Sequence, residues 1–295
     1  MRYYSRWDGG TAVPANPQMT THTTEIQQGQ RFEFGKNWLR FLKVLDEERI
    51  IEAEKSLRAM LETESLSGKS FLDVGCGSGL FSLAAMRLGA ARVHSFDYDP
   101  QSVACTLELK RRYFPADERW TAQAGSVLDA AYLARLGRFD IVYSWGVLHH
   151  TGQMWQALEN VAPLVAPRGK LFIAIYNNQG KSSRRWKAVK TVYNKGWPGR
   201  LLVSAAFIPY FILRGLVADL LRMRSPFSRY REYKKSRGMS RVHDWIDWLG
   251  GYPFEVAKPE EIFDFYRKRG FALIKLKTCG GSLGNNEFVF QKCAE

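Results

Sequence analysis

The 295-residue sequence predicts an α/β fold, a doubly wound parallel sheet with helices on both faces. The first observation is that apolar strand-like segments alternate with helical periodicity from Phe71 to Tyr176. The second is a strand, Phe71–Val74, that runs directly into a turn containing Gly75, Gly77 and Gly79 and then into the helical segment 80–88. In doubly wound folds, a strand, glycine turn and helix of this kind form a nucleotide-binding crevice.

Two regions precede this strand. Residues 1–29 are rich in Thr, Pro, Gln and Gly and lack an apolar period, which predicts a flexible arm. Residues 30–66 have apolar residues at helical spacing and predict two amphipathic helices that form a cap. Their aromatic residues Phe32, Phe34 and Trp38 either cover the crevice or pack on the outside of the sheet, and the sequence leaves both alternatives open.

The second predicted strand, 92–97, ends in an acid that suits a ribose. Asp97 lies 22 residues beyond Gly75, the offset at which a doubly wound fold brings a carboxylate to the ribose hydroxyls. A carboxylate accepts two hydrogen bonds from a cis-diol. Asp99 precedes Pro100 and is interpreted as the cap of the next helix.

Three further strands complete the core, which we assign to residues 67–176. They are predicted at 120–124, 139–144 and 171–176, with a helix over 157–165 and a turn at 167–170. The fourth strand leads into a loop that contains Trp145, His149 and His150.

The composition is that of a globular protein with a basic surface. Forty-three Lys and Arg residues against 29 Asp and Glu residues give a net charge of +14, which favours anionic partners such as nucleic acid, phospholipid or acidic substrates. The four cysteines are far apart and follow no metal-ligand spacing, so we expect no metal, reduced thiols and a cytoplasmic protein.

The glycine turn, with Asp73 before it and Asp97 after it, resembles the first motifs of class I S-adenosylmethionine (SAM)-dependent methyltransferases. The strand-four loop at Trp145 and the segment 259–295 fit the same pattern. Within that class the sequence is similar to small-molecule enzymes such as the ubiquinone-biosynthesis O-methyltransferases. The resemblance implies a seven-stranded sheet completed by a C-terminal helix and hairpin, with SAM as cofactor and S-adenosylhomocysteine (SAH) as product.

The resemblance also implies which residues contact SAM. Asp73 would favour its positively charged methionine end, and Asp97 would bind the ribose. The remaining expected contacts lie on the glycine turn and on the loops after strands two, three and four: Gly75, Cys76, Gly77, Gly79, Tyr98, Ser126, Val127 and Trp145. Ser126 departs from the family pattern, which usually has Asp after the glycine of this loop.

Methyl transfer from SAM is a displacement that needs neither a covalent nucleophile nor a metal. A hydroxyl acceptor needs in addition a general base, and His149 and His150 follow strand four at its carboxyl end. Adjacent residues point in different directions, so at most one of them faces the substrate. The alternative is that these histidines orient the backbone or cap the next helix.

Specificity is expected in residues 177–258, an insertion of 82 residues between Tyr176 and Pro259 that the core does not need. Its stretch 201–213 contains no charge, lies between basic segments, and contains Pro209, which would kink a helix. It is shorter than the roughly 20 apolar residues of a membrane span. Three interpretations of residues 200–224 remain open: a lid over an apolar substrate, a homodimer surface, or a peripheral membrane contact.

The sequence therefore favours a methyltransferase, with O-methylation of a small, apolar or lipid-linked acceptor preferred. One alternative is an RNA methyltransferase that uses the basic surface, although no appended RNA-binding motif is found and nucleic acid is the less favoured partner. The other is a non-catalytic, membrane-associated protein that retains the fold.

Overall fold

The computed structural model describes residues 17–221, 223, 225, 241–281 and 283–294. Seven strands form one sheet in the order β3-β2-β1-β4-β5-β7-β6. The first five are parallel to one another, whereas β7 pairs antiparallel with both β5 and β6. The strands are β1 Ser70–Val74, β2 Arg92–Asp97, β3 Trp120–Ala124, β4 Phe139–Trp145, β5 Val165–Tyr176, β6 Phe271–Lys277 and β7 Asn285–Lys292.

This architecture confirms the predicted fold class, including the closing antiparallel hairpin. The helices of the core are α4 Leu80–Arg87, α5 Pro100–Tyr113, α6 Ala130–Leu136 and α7 Met154–Val161, followed after the insertion by α11 Pro259–Arg267. The largest difference within the core is β5, which begins six residues before the predicted strand. Its early part contains Arg168 with a φ of 62°, and its register with β4 shifts there, so the predicted turn is a distortion inside a strand.

Part of the arm predicted over residues 1–29 is helical. Residues 1–16 lie outside the described residues, but Pro17–Gln27 forms helix α1 rather than part of a flexible arm. The sequence lacked an apolar period there because contacts of single polar residues hold the helix: His22 is buried and packs edge-on against Tyr98.

The two helices of the predicted cap occupy different places. Helix α2, Phe34–Phe41, packs on α5 beside the carboxyl ends of the strands, and the Gly35 amide donates to Asp99 at 2.7 Å. Helix α3, Glu47–Leu61, packs on α4 and buries Ile50, Ala53 and Leu57 in the core. Phe32, Phe34 and Trp38 all line the cavity described below, which corresponds to the first of the two alternatives left open for these aromatic residues.

The described part of the insertion consists of α8 Lys181–Asn194, α9 Trp197–Leu221 and α10 Arg241–Gly250. The uncharged stretch 201–213 is part of α9, which continues through Pro209 and extends well beyond the predicted segment. By length and composition alone, α9 is the one helix of the described residues that could cross a membrane.

Candidate active site

A cavity of about 660 Å³ opens at the carboxyl ends of β1, β2 and β4. This is the edge at which doubly wound folds bind ligands. Three parts of the chain form its walls: the α/β core, the N-terminal helices with the segment between them, and the insertion. The cavity is large enough for a cofactor and a small second ligand.

The glycine turn is held at the end of β1 by the neighbouring strand. The amides of Gly75 and Cys76 both donate to the carbonyl of Phe96, at 2.8 and 3.0 Å. Gly75 has a φ of +75°, and a Cβ there would lie 2.3 Å from a methyl carbon of Val147. Glycine is therefore required at this position both for the backbone conformation and for the close approach of the strand-four loop.

Asp97 sits beside this turn as the sequence predicted. Its Oδ2 accepts the amide of Gly77 at 2.9 Å, and its Oδ1 accepts the amide of Asp99 at 2.9 Å. Burial, and secondarily the neighbouring Asp99, raises the pKa of Asp97 to about 7. The backbone thus fixes a carboxyl group at the cavity wall whose oxygens retain lone pairs for a diol.

Asp73 lies at the end of β1 and is anchored by a polar network that sequence reasoning missed. Ser82 donates to Asp73 at 2.5 Å and contacts the Ser95 hydroxyl at 2.7 Å, and Trp120 Nε1 donates to the same hydroxyl at 2.9 Å. Burial raises the pKa of Asp73 to about 7, although the Ser82 bond opposes that shift. Apolar neighbours in the sequence gave no signal for this network.

Most of the other predicted cofactor residues line the same cavity: Cys76, Gly77, Tyr98, Ser126, Val127 and Trp145. The Arg31 guanidinium lies 4.8 Å from the centre of the Tyr98 ring. The Ser126 hydroxyl accepts the amide of Leu128 at 3.1 Å and so shapes its own loop. A Cβ on Gly77 would lie 2.9 Å from Trp38 Nε1, which shows how closely the cap approaches the glycine turn.

Two predicted residues do not line the cavity. Gly79 is the N-cap of α4, with a φ of +80°, and packs against the backbone of Thr106. His149 is fully buried outside the cavity lining, and burial lowers its pKa well below the usual value. Of the two candidate bases, His149 therefore lies outside the cavity lining.

His150 is the histidine that lines the cavity. Its Nδ1 lies 2.6 Å from the carbonyl of Pro253, so Nδ1 carries the hydrogen and Nε2 keeps a lone pair. Burial, followed by the charge of Lys190, lowers the pKa of His150 to about 3. The imidazole is therefore neutral at physiological pH and can accept a hydrogen bond through Nε2.

The insertion contributes an aromatic wall to the cavity, together with Tyr176 at the end of β5. The wall consists of Tyr176, Trp186, Phe211, Trp245 and Trp248. Trp186 lies 5.1 Å from Phe207 and 5.2 Å from Trp248, measured between ring centres. The sequence assigned no individual role to the four aromatic residues of the insertion, and only the tertiary structure brings them together at one wall.

Lys190 and Asp247 are two ionisable residues of the insertion beside this wall. Lys190 is fully buried, donates to the carbonyl of Trp248, and lies 4.6 Å from the Trp248 ring centre, and its burial lowers its pKa to about 7. Asp247 accepts Asn37 Nδ2 at 2.8 Å and thereby joins the insertion to the cap. Burial raises the pKa of Asp247 well above its usual range.

Comparison with known proteins agrees with this geometry. Residues 72–171 match the family of methyltransferase domains. The ribosomal protein L11 methyltransferase of Methylococcus capsulatus is 45% identical over 69 residues, which are 23% of this chain and 24% of that protein. The same-named enzyme of Xanthomonas oryzae pv. oryzae is 33% identical over 126 residues, covering 36% of this chain and 40% of that protein. The chain thus spans less than half the length of these curated relatives.

The fold has a counterpart among solved structures. Magnesium protoporphyrin IX methyltransferase from Synechocystis PCC 6803, crystallised with bound SAM, aligns with a TM-score of 0.50 at 11% identity, over 95% of this chain and 100% of that one. Residues 72–171 are thus similar to methyltransferase domains, and the sheet has the class I methyltransferase fold. The resemblance seen in the sequence is confirmed at that level.

The close approach of Val147 makes Gly75 testable against a second glycine. Gly68 also has a positive φ, +72°, but a Cβ there would meet no atom within 4 Å. We expect Gly68→Ala to lower the free energy of unfolding by about 1 kcal/mol from backbone strain alone. Gly75→Ala adds overpacking and should cost about 1–3 kcal/mol more. Urea unfolding followed by circular dichroism measures both variants, and equal losses would show that the Val147 contact is unimportant.

Proposed function

We propose that this protein is a SAM-dependent methyltransferase that transfers a methyl group to a small, apolar acceptor. The observation that supports this most is that one cavity is lined both by the glycine turn with Asp97 and by the aromatic wall. The methyltransferase domain at residues 72–171 supports the same reaction.

The residues on and around the glycine turn fit SAM. Gly75 and Gly77 leave the main chain open to the ligand, and Asp97 presents carboxylate oxygens to the ribose hydroxyls. Asp73 supplies negative charge for the methionine ammonium, while Ser126 and Val127 lie where the adenine would bind. When bound, SAM supplies an electrophilic methyl group on a sulfonium, and SAH remains after transfer.

The residues of the aromatic wall fit a small acceptor with an apolar or aromatic body. Aromatic rings from α8, α9 and α10 give the acceptor flat apolar surfaces, and burial there excludes water from the reacting atoms. The enzyme's task is to hold the acceptor in line with the methyl group. The net charge of +14 also suits RNA, but a concave site with an aromatic wall favours a small molecule over a polynucleotide.

Within this proposal, O-methylation is favoured by His150. A neutral imidazole whose Nδ1 is committed to Pro253 offers Nε2 to the hydroxyl of the acceptor. The methylated hydroxyl is a far stronger acid than the free one, so even a weak base accepts its proton late in the reaction. His149 remains behind the wall and supports the loop.

We further propose a cytoplasmic protein, which the four free thiols of Cys76, Cys105, Cys279 and Cys293 support. The L11 methyltransferases are named for a ribosomal protein substrate, but the matched regions are too short a part of those enzymes to extend that substrate to this chain. A homodimer through residues 200–224 is the less favoured alternative to the membrane contact developed in the next subsection.

Binding of SAH tests the cofactor half of the proposal. We expect SAH to bind in isothermal titration calorimetry and Asp97→Ala to weaken it about 10–100-fold, since charge-assisted hydrogen bonds to the ribose are lost. The control is Asp264→Ala, which removes a half-exposed acid on α11 far from the cavity lining. A wild-type protein that binds neither SAM nor SAH would refute the cofactor assignment.

The pKa of Asp97 predicts how that affinity depends on pH. Asp97 is protonated below about pH 7 and ionised above it, and only the ionised form accepts hydrogen bonds from both ribose hydroxyls with both oxygens. The dissociation constant of SAH should therefore fall about tenfold between pH 6 and pH 8. Asp97→Asn should flatten the part of this dependence that belongs to Asp97. An affinity independent of pH would contradict the raised pKa.

A pair of variants tests the acceptor half. With methyl-labelled SAM and matched phenol and aniline acceptors, we expect faster transfer to the phenol. His150→Asn keeps a donor for the Pro253 carbonyl but removes the Nε2 acceptor, and should lower phenol turnover about 10²–10⁴-fold. His150→Gln, whose amide replaces Nε2, should retain more activity. Faster turnover of the aniline, unaffected by either variant, would indicate N-methylation instead, and no transfer despite SAH binding would favour a non-catalytic protein.

A further inference from the structure

Helix α9 presents an apolar surface to solvent that folding of the described chain leaves uncovered. Its exposed large side chains include Leu201, Leu202, Leu213, Leu216, Val217, Leu220 and Leu221, and Leu220 and Leu221 are 77% and 80% exposed. Trp197 at the start of the helix is 74% exposed. A continuous apolar surface of this kind marks an interaction site.

The opposite side of α9 packs against the rest of the protein. Val203, Phe207, Phe211, Gly215 and Asp219 recur every four residues, and each is buried or packs in the cluster formed with α8 and α10. A helix held along one side in this way lies on its domain. It could cross a bilayer only by taking α8 with it, and α8 exposes Lys181, Arg184, Arg185 and Lys187.

The charge around α9 identifies the kind of surface that it fits. The sequence contains no Asp or Glu between Tyr176 and Asp219. After α9, the segment 222–241 has one acid, Glu232, and the following basic residues: Arg222, Arg224, Arg229, Arg231, Lys234, Lys235, Arg237 and Arg241. Apolar side chains between basic segments are typical of helices that lie in the interface of an anionic membrane, and Trp197 is of the residue type that prefers the headgroup level.

The same helix also forms part of the cavity wall. Phe211 and Arg214 line the cavity, and the Phe211 ring centre lies 5.9 Å from that of Trp245. One side of α9 therefore forms part of the cavity wall, while the other side is apolar and exposed.

We infer that the exposed side of α9 docks on an anionic phospholipid membrane, with the helix parallel to the membrane plane. The acceptor then enters the cavity from the lipid phase past Phe211 and Arg214. The inference of docking depends only on the surface of α9, whereas the inference that the acceptor comes from the membrane depends on the proposed methyltransferase function.

Vesicle binding by the full-length protein tests this docking. Unilamellar vesicles of phosphatidylcholine alone and of phosphatidylcholine mixed with phosphatidylglycerol serve as probes in co-sedimentation at low and high salt. We expect partition onto the anionic vesicles, weakened by salt because basic residues contribute. The double variant Leu213→Glu/Leu220→Glu should bind at least about tenfold more weakly.

The matched control makes the same change on other surfaces. Leu107→Glu/Leu276→Glu alters two residues that are 45% and 43% exposed on α5 and β6, and should bind vesicles as the wild type does. Retention of SAH binding by both double variants shows that they fold. It also separates a failure of docking from a failure of the proposed function, because calorimetry with SAH requires no membrane.

Three outcomes would overturn the inference. The first is an absence of wild-type binding to either vesicle. The second is that the Leu213→Glu/Leu220→Glu variant binds anionic vesicles as well as the wild type does, or that the wild type binds uncharged vesicles as well as anionic ones. The third is a wild-type dimer in sedimentation velocity that this variant converts to a monomer without any vesicle binding, which would assign the surface to a second copy of the chain.

Discussion

The carbonyl of Phe96 organises the cavity by accepting the amides of both Gly75 and Cys76. This pair of hydrogen bonds ties the turn after β1 to the end of β2. Because β1 and β2 are parallel and in register from Ser70 and Arg92 onwards, their ends meet at one edge of the sheet. Asp97 follows Phe96 directly, so the bonds that hold the turn also determine where that carboxyl group lies.

Two carboxyl groups at this edge, the buried Asp73 and the half-buried Asp97, are both stabilised by hydrogen bonds. Asp97 accepts backbone amides from both sides, and Asp73 accepts the Ser82 hydroxyl. Burial of an acid without partners is unfavourable, and these hydrogen bonds offset part of that cost. The remaining penalty raises the pKa of both groups to about 7, which leaves the cavity poised to gain negative charge when a positively charged ligand arrives.

The cap and the insertion meet across the cavity through a small number of polar contacts. Asn37 donates to Asp247 at 2.8 Å, and the Phe32 amide donates to the carbonyl of Tyr252 at 2.9 Å. Arg31 joins the cap to the core in a similar way, by donating to the carbonyl of His150 at 3.0 Å. Phe32 also approaches Gly250 so closely that a Cβ there would lie 2.2 Å away. The cavity is thus built from segments more than 200 residues apart in sequence, as the 210-residue separation of Asn37 and Asp247 shows.

The sequence by itself determined the parallel core, the glycine turn and the placement of Asp97, since period and spacing are local properties that the right-handed βαβ connection converts into position. Asp99 as the cap of α5 was determined in the same way and bonds the Gln101 amide as expected. Tertiary structure alone decided between His149 and His150, because their difference lies in which side chain β5 and the insertion bury. It also decided the helical state of Pro17–Gln27, the Ser82 network and the two sides of α9. Each of these features depends on contacts between residues that are distant in sequence. Such contacts produce no periodic pattern in the sequence from which they could be predicted.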